Sequence, residues 1–258
     1  MTHTTLPYKP FNNETQHLAI VDTQGKIKEL KSIFPKYKIK IKPKGHLPKT
    51  GCLMADVMKR SSFKSLITLD IGTGESGFLA LNMAALGARR TIAIDVDNEA
   101  IKWARLNIRL NHFEKKVSLE NYDTDIIFDI ITANLPQIPS NSFGSSHDDG
   151  GPDGRKFINQ AIEFSSKHLK TKGRLYLTAF DFLGVEKKLN KNNTILNCLQ
   201  GFGFKAKVAK RQLKEITLNS YTAKKLSWIK KQYPLFNFHP TKSSMGKYNV
   251  LIIEAIKN

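Results

Sequence analysis

Short apolar runs alternate with stretches of helical periodicity from residue 66 onward. Leu66, Ile67 and Leu69 make a strand with Asp70 near its end, and Phe78 to Leu86 reads as a helix closed by Gly87. Arg90 to Ile94 is a second strand and ends in Asp95. The helix after it starts at Asp97 or Asn98, runs to about Asn111 and turns Ala100, Ile101, Ala104 and Ile108 to one side. Val117 to Leu119 and Phe128 to Ala133 are the third and fourth strands. A further helix carries Phe157, Ile158, Ala161, Ile162, Ser165 and Leu169 inward, and Lys172-Gly173 turns the chain into a fifth strand, Arg174 to Ala179. The remainder reads as a helix over Val185 to Gln200, a strand over Lys205 to Arg211, a helix over Ser220 to Gln232 and a strand over Tyr248 to Lys257. Strands separated by helices at this spacing predict an α/β fold on a mostly parallel sheet.

The first 46 residues differ in texture. Residues 1–16 are polar and expected to be poorly ordered. Leu18, Ile20 and Val21 suit a strand or a short helix, while Ile27, Leu30, Ile33 and Phe34 fall at helical spacing. Tyr37, Ile39 and Ile41 alternate with Lys36, Lys38, Lys40 and Lys42, the pattern of a half-buried strand with a lysine face. That face is either a basic ridge that steers an anionic substrate or an edge strand that lysines keep from aggregating. Thr50 suits the N-cap of a helix through Cys52 to Lys59. We expect a small N-terminal extension over residues 1–46 and a main domain over residues 47–258, with an insert at about 212–246. The insert either recognises substrate with its aromatics and lysines or packs its aromatics on the core.

Charge adds a partner to the picture. The formal net charge is +19 in 258 residues, which favours an anionic macromolecule such as RNA or an acidic protein, unless the lysines are a compositional habit. The small-molecule alternative stays open. Cys52 and Cys198 are far apart and form no Cys/His cluster of zinc spacing, so no metal site is expected and both read as reduced. No apolar run approaches the ~18 residues of a membrane span, and the polar start shows no leader pattern, so the expected compartment is the cytoplasm.

Chemistry concentrates in two places. Gly72, Gly74 and Gly77 follow the first strand at the spacing of a strand-to-helix turn, where a ligand can approach bare backbone. Asp95, at the end of the second strand, is a carboxylate able to accept two hydrogen bonds from a ribose diol. Asn134-Leu135-Pro136-Gln137 stands at the carboxyl end of the fourth strand, the edge at which ligands of open α/β sheets bind.

In this order, these features resemble the class I S-adenosylmethionine (SAM) methyltransferases. The resemblance covers roughly residues 47–211 and 247–257. It implies a doubly wound, Rossmann-like, seven-stranded sheet with an antiparallel last strand. It further implies that Asp70, Gly72, Thr73, Gly74 and Gly77 hold the methionine part of SAM, that Asp95 holds the ribose, and that Asp123 receives the adenine amino group. Asn134 to Gln137 resembles the Asn-Pro-Pro-Tyr motif of enzymes that methylate planar nitrogens, with Leu135 in place of the first proline and Gln137 in place of the aromatic. Asp149-Gly150-Gly151-Pro152-Asp153-Gly154 is similar to a segment of the release-factor glutamine methyltransferases, as is Leu47-Pro48-Lys49-Thr50. The function so implied is methylation of a protein glutamine amide or a nucleobase amino group. The rivals are a SAM-dependent enzyme acting on a small metabolite, including non-methyl use of SAM, a nicotinamide-dependent oxidoreductase, and a non-catalytic RNA-binding protein.

Overall fold

The alternating pattern becomes strands wherever a neighbour can pair with it, and this decides the first elements. The computed structural model describes Thr2–Thr5, Gln16–Val21, Ile27–Phe34, Ile39–Ile41 and residues 49–119, 125–142 and 148–258. The alternation around Tyr37, Lys38 and Lys42, the Leu47-Pro48 segment, Asp123 and His147 lie outside the described residues. The chain divides into two compact units, residues 1–124 and 125–258.

In the first unit, β1 (Thr2–Thr5), β2 (Gln16–Val21), β3 (Ile27–Phe34) and β4 (Ile39–Ile41) form an antiparallel sheet in that order. This corrects the helix read over Ile27 to Phe34: helical spacing is satisfied, but β3 pairs on both sides, Ile33 opposite Gln16 and Lys40. An eight-residue helix has little stability of its own, and two ladders outweigh it. Residues 2–5 belong to β1, not to a poorly ordered stretch. Ile39 and Ile41 are 0% and 1% exposed while Lys40 is exposed, so the alternation does place the isoleucines inward. The outer edge of β4 is capped by a side chain: Lys40 N–H donates to Asn111 Oδ1 at 2.8 Å, and Asn111 Nδ2 donates to the Lys40 carbonyl at 2.6 Å.

The rest of this unit is α1 (Lys49–Met58), β5 (Ile67–Ile71), α2 (Phe78–Ala85), β6 (Arg90–Ile94), α3 (Asn98–Leu110) and β7 (Val117–Leu119). β5 pairs in parallel with β6, and β6 with β7. β5 is buried on both faces: Leu69 and Ile71 alternate with Thr68 and Asp70, and all four are buried. Asp97 caps α3, accepting from Glu99 N–H at 2.8 Å, and Ala100, Ala104 and Ile108 make its buried stripe.

The second unit comprises β8 (Phe128–Ala133), α4 (Lys156–His168), β9 (Leu169–Phe180), α5 (Ile195–Gly201), β10 (Phe204–Glu215), α6 (Tyr221–Gln232) and β11 (Lys247–Lys257). β8 and β9 are parallel, and β11 runs antiparallel to both of its neighbours, β9 and β10. The Lys172-Gly173 turn is retained as an irregularity inside β9, with Lys172 at φ 64°. The helix read over Val185 to Gln200 is confined to α5, which starts where Thr194 accepts Asn197 N–H at 3.0 Å. Upstream, Asn190 Oδ1 accepts Asn192 N–H at 2.9 Å, a local turn that competes with helix. The strands make a seven-stranded sheet of order β10-β11-β9-β8-β5-β6-β7, the doubly wound, Rossmann-like α/β arrangement.

Candidate active site

The glycine loop is fixed by its own backbone and by two aspartates. Gly72 and Thr73 N–H both donate to the Ile94 carbonyl at 2.9 and 3.0 Å, which ties the loop to the end of β6. Asp70 is 1% exposed, and its Oδ2 accepts from Thr73 Oγ1 at 2.8 Å and from Ala80 N–H at 3.2 Å. The negative group that meets the first turn of α2 is therefore the chain's own carboxylate, and it and Thr73, 6% exposed, hold the turn from within. Gly77 caps α2 in the left-handed region, φ 59°. At Gly74, φ 63°, the space where a side chain would stand is open. Bare backbone facing free volume leaves room for a ligand at this loop.

Asp95 is joined to that loop. Its Oδ2 accepts Gly74 N–H at 2.8 Å and its Oδ1 accepts Asp97 N–H at 3.0 Å. A carboxylate offers about four acceptor positions, so about two remain for a diol. Asn107, fully buried on the apolar stripe of α3, donates to the Glu75 carbonyl at 3.1 Å and steadies the loop from beneath. Its signal in the sequence is an amide on a helix face otherwise made of Ala100, Ala104 and Ile108. The donor and acceptor set fits SAM: Gly74 offers close approach, and Asp95 offers acceptor positions for a diol.

In the second unit, Asn134-Leu135-Pro136-Gln137 leaves β8 in a conformation fixed by Gln137. That side chain is 4% exposed. Its Oε1 accepts Phe180 N–H at 2.9 Å, and its Nε2 donates to the Thr178 and Leu135 carbonyls at 3.4 and 3.3 Å. Gln137 is thus a clamp on β9, its amide engaged by the fold itself. The backbone continues into pairing with the loop that returns to α4: Ile138 N–H donates to the Asp148 carbonyl at 2.8 Å, and Gly150 N–H to the Ile138 carbonyl at 2.9 Å.

The Asp149 to Gly154 segment explains itself against Gln137. A Cβ at Gly150 would lie 2.5 Å from Gln137 Cα, and one at Gly154 would lie 2.5 Å from the Gln137 carbonyl oxygen. Glycine is required at both because the returning loop lies directly on this backbone. Asp149 Oδ1 accepts Gly151 N–H at 2.9 Å and Asp153 Oδ1 accepts Arg155 N–H at 2.9 Å, so the two acids shape the turn. The insert then closes over the same loop. Trp228 Nε1 donates to the Pro152 carbonyl at 2.8 Å, and Tyr233 OH to the Asp153 carbonyl at 2.6 Å. Tyr233, Phe236, Phe238 and Tyr248 gather around Phe182. Burial pushes the Tyr233 and Tyr248 phenols well above the ordinary tyrosine range.

The chain is similar to known proteins. The ribosomal protein L11 methyltransferase (PrmA) family model matches residues 45–138. A Methanocaldococcus jannaschii protein provisionally named a protein N5-glutamine methyltransferase is 25% identical over 67% of this chain and 88% of its own length. The release factor glutamine methyltransferase of Flavobacterium psychrophilum is 31% identical over 56% of this chain, which spans 58% of that relative. Among solved structures, a ribosomal protein L11 methylase from Lactobacillus delbrueckii subsp. bulgaricus superposes with a TM-score of 0.51 at 20% identity, covering 83% of this chain and 81% of that one. M. jannaschii TYW2 in complex with AdoMet also gives 0.51, at 14% identity and 93% coverage of both chains. The chain is a SAM-dependent methyltransferase with the Rossmann-like fold of class I.

Proposed function

We propose that the chain methylates a planar amide nitrogen of a protein, a glutamine side chain. The observation that carries this reading is the Asn134-Leu135 turn, held by Gln137 and underpinned by the glycines of the Asp149 to Gly154 segment. The names of two relatives, both glutamine methyltransferases, support the same substrate class.

An amide nitrogen is a poor nucleophile because its lone pair is delocalised into the carbonyl. In this reading Asn134 Oδ1 accepts one hydrogen of the substrate NH2 and the Leu135 carbonyl accepts the other. The Leu135 carbonyl already takes one donor from Gln137 Nε2, which fixes its direction and leaves a second acceptor position. Two acceptors on one NH2 turn the nitrogen's face outward and favour the charge that develops on it. Gly72, Gly74 and Asp95 hold SAM, with Asp123 on the adenine, and Asp70, Thr73 and Gly77 keep the loop in shape. Bound SAM supplies an electrophilic methyl on a sulfonium. The protein's task is then orientation, worth effective molarities on the order of 10⁵ M or more. This scheme needs no general base; the proton leaves to solvent after the nitrogen becomes cationic.

The test is incubation of the pure chain with methyl-labelled SAM and a fractionated extract. Acid-stable label in protein, recovered as N5-methylglutamine, is the expected result. Label confined to RNA or to small molecules would replace the glutamine reading with a nucleobase or a metabolite.

A further inference from the structure

Arg155 brings a positive charge into the second unit without a carboxylate to meet it. The residue is 4% exposed. Its Nη1 donates to the Asn193 carbonyl at 2.6 Å, its Nε is buried with no hydrogen-bond partner, and it forms no ion pair among the described residues. The acid beside it in sequence is occupied: Asp153 takes Arg155 N–H on Oδ1 and Asn192 Nδ2, at 3.2 Å, on Oδ2. Arginine does not escape burial by losing its proton, and an unmatched buried ion costs several kcal/mol. Arg155 lines a cavity of about 490 Å³ together with Asp153, Asn159, Asn192, Asn197 and Cys198. That volume falls in the range of small-ligand sites, roughly 300–1,000 Å³. Arg155 is also the residue preceding the thirteen-residue helix α4, so the helix dipole adds to its charge.

We propose that this cavity binds a phosphate group, free or carried by a small nucleotide. The guanidinium fork matches phosphate oxygens, the asparagine amides around the rim supply neutral donors, and the Asp153 carboxylate on the lining has its two oxygens engaged by Arg155 N–H and Asn192 Nδ2. None of these residues belongs to the SAM loop or to the Asn134 turn, and Asp153 is shared with the segment that supports that turn.

Cys198 reports on the cavity from its wall. Burial pushes its thiol up from the ordinary cysteine range, and Cys52 serves as an internal reference. Alkylation by iodoacetamide is followed at each cysteine by peptide mass spectrometry, with inorganic phosphate or uridine monophosphate added at constant ionic strength. Saturable, several-fold slowing at Cys198 and none at Cys52 is expected. Inorganic phosphate alone protecting would name a free-anion site, and stronger protection by the nucleotide would name a carried one. Arg155→Gln removes the protection. Should that variant fail to fold, Asn159→Asp decides: it places a carboxylate on the exposed rim, keeps the melting temperature and abolishes protection. Unchanged Cys198 reactivity with either probe, or full protection retained in Asn159→Asp, would mean that only solvent fills the cavity and overturns the proposal.

Discussion

Asp95 accepts two backbone donors, which builds the loop, and keeps acceptor positions for two more, which is what the proposed ribose role requires. Asp95→Ala removes charge-assisted hydrogen bonds worth roughly 1.5–3 kcal/mol each and releases Gly74. SAM affinity by calorimetry is expected to fall at least about tenfold; an unchanged Kd would remove Asp95 from the ribose role. Asn134→Ala acts on the other half of the chemistry. SAM binding stays within twofold, while kcat drops on the order of 10²-fold, the usual loss for one positioned group that meets developing charge. The place of Asp95 beside the glycine loop was legible in the sequence, because an acid that closes the next strand stands at the same sheet edge as the turn. The work of Gln137 was not. Its partners, Thr178 and Phe180, lie more than forty residues away, and a side chain's choice between substrate and a distant strand is made by tertiary packing. Asn107 and Arg155 escaped for the same reason: each is a polar residue whose meaning depends on what covers it.

Elements with long apolar runs or clear caps, such as β5, β8, α3 and α6, were legible to within a residue or two. β3 was not, because eight residues satisfy a helical period and a strand pairing equally, and only neighbours decide. The Asp149 to Gly154 segment shows how a motif acts as an element of support. Gly150→Ala forces a Cβ against Gln137 Cα, and overpacking of this kind costs about 1–3 kcal/mol. Its melting temperature is expected to fall by several degrees, with turnover lost more than SAM affinity. α6 stands on the same loop through Tyr233, whose phenol is buried and donates to the Asp153 carbonyl. Burial, with Asp153 as the second cause, raises its folded pKa above the ordinary 10.0. The neutral phenol is favoured in the fold, so its contribution is complete below pH 10 and declines as pH rises, because the unfolded chain ionises first. The slope is up to ~1.4 kcal/mol per pH unit. Urea titrations above pH 10 should therefore show a shallower loss of stability in Tyr233→Phe than in the parent chain, despite a lower stability at pH 7. Equal slopes would mean that the phenol is not buried in solution.

For the whole molecule, the +19 charge is expected to act on how a substrate arrives and not on how the methyl moves. Among the described residues no helix is long and apolar enough to cross a membrane. The field of the lysines reaches over distances set by a Debye length of about 8 Å at 0.15 M salt. SAM has a small net charge, and its affinity should change little with salt. A macromolecular substrate should behave differently. An acidic protein is steered by the long-range field, so KM rises with salt over the low range and then levels as rim charges are screened, with kcat constant. RNA releases condensed counterions in proportion to the phosphates contacted, so log K falls linearly with log salt, with a slope of about −0.7 per phosphate. Measuring KM and kcat across a salt series with the methylated fraction from extract separates the two. A levelling curve fits the glutamine reading, and a straight steep one assigns the charge to RNA. A KM that ignores salt would mean that the charge has no part in recognition, and that shape at the Asn134 turn alone selects the substrate.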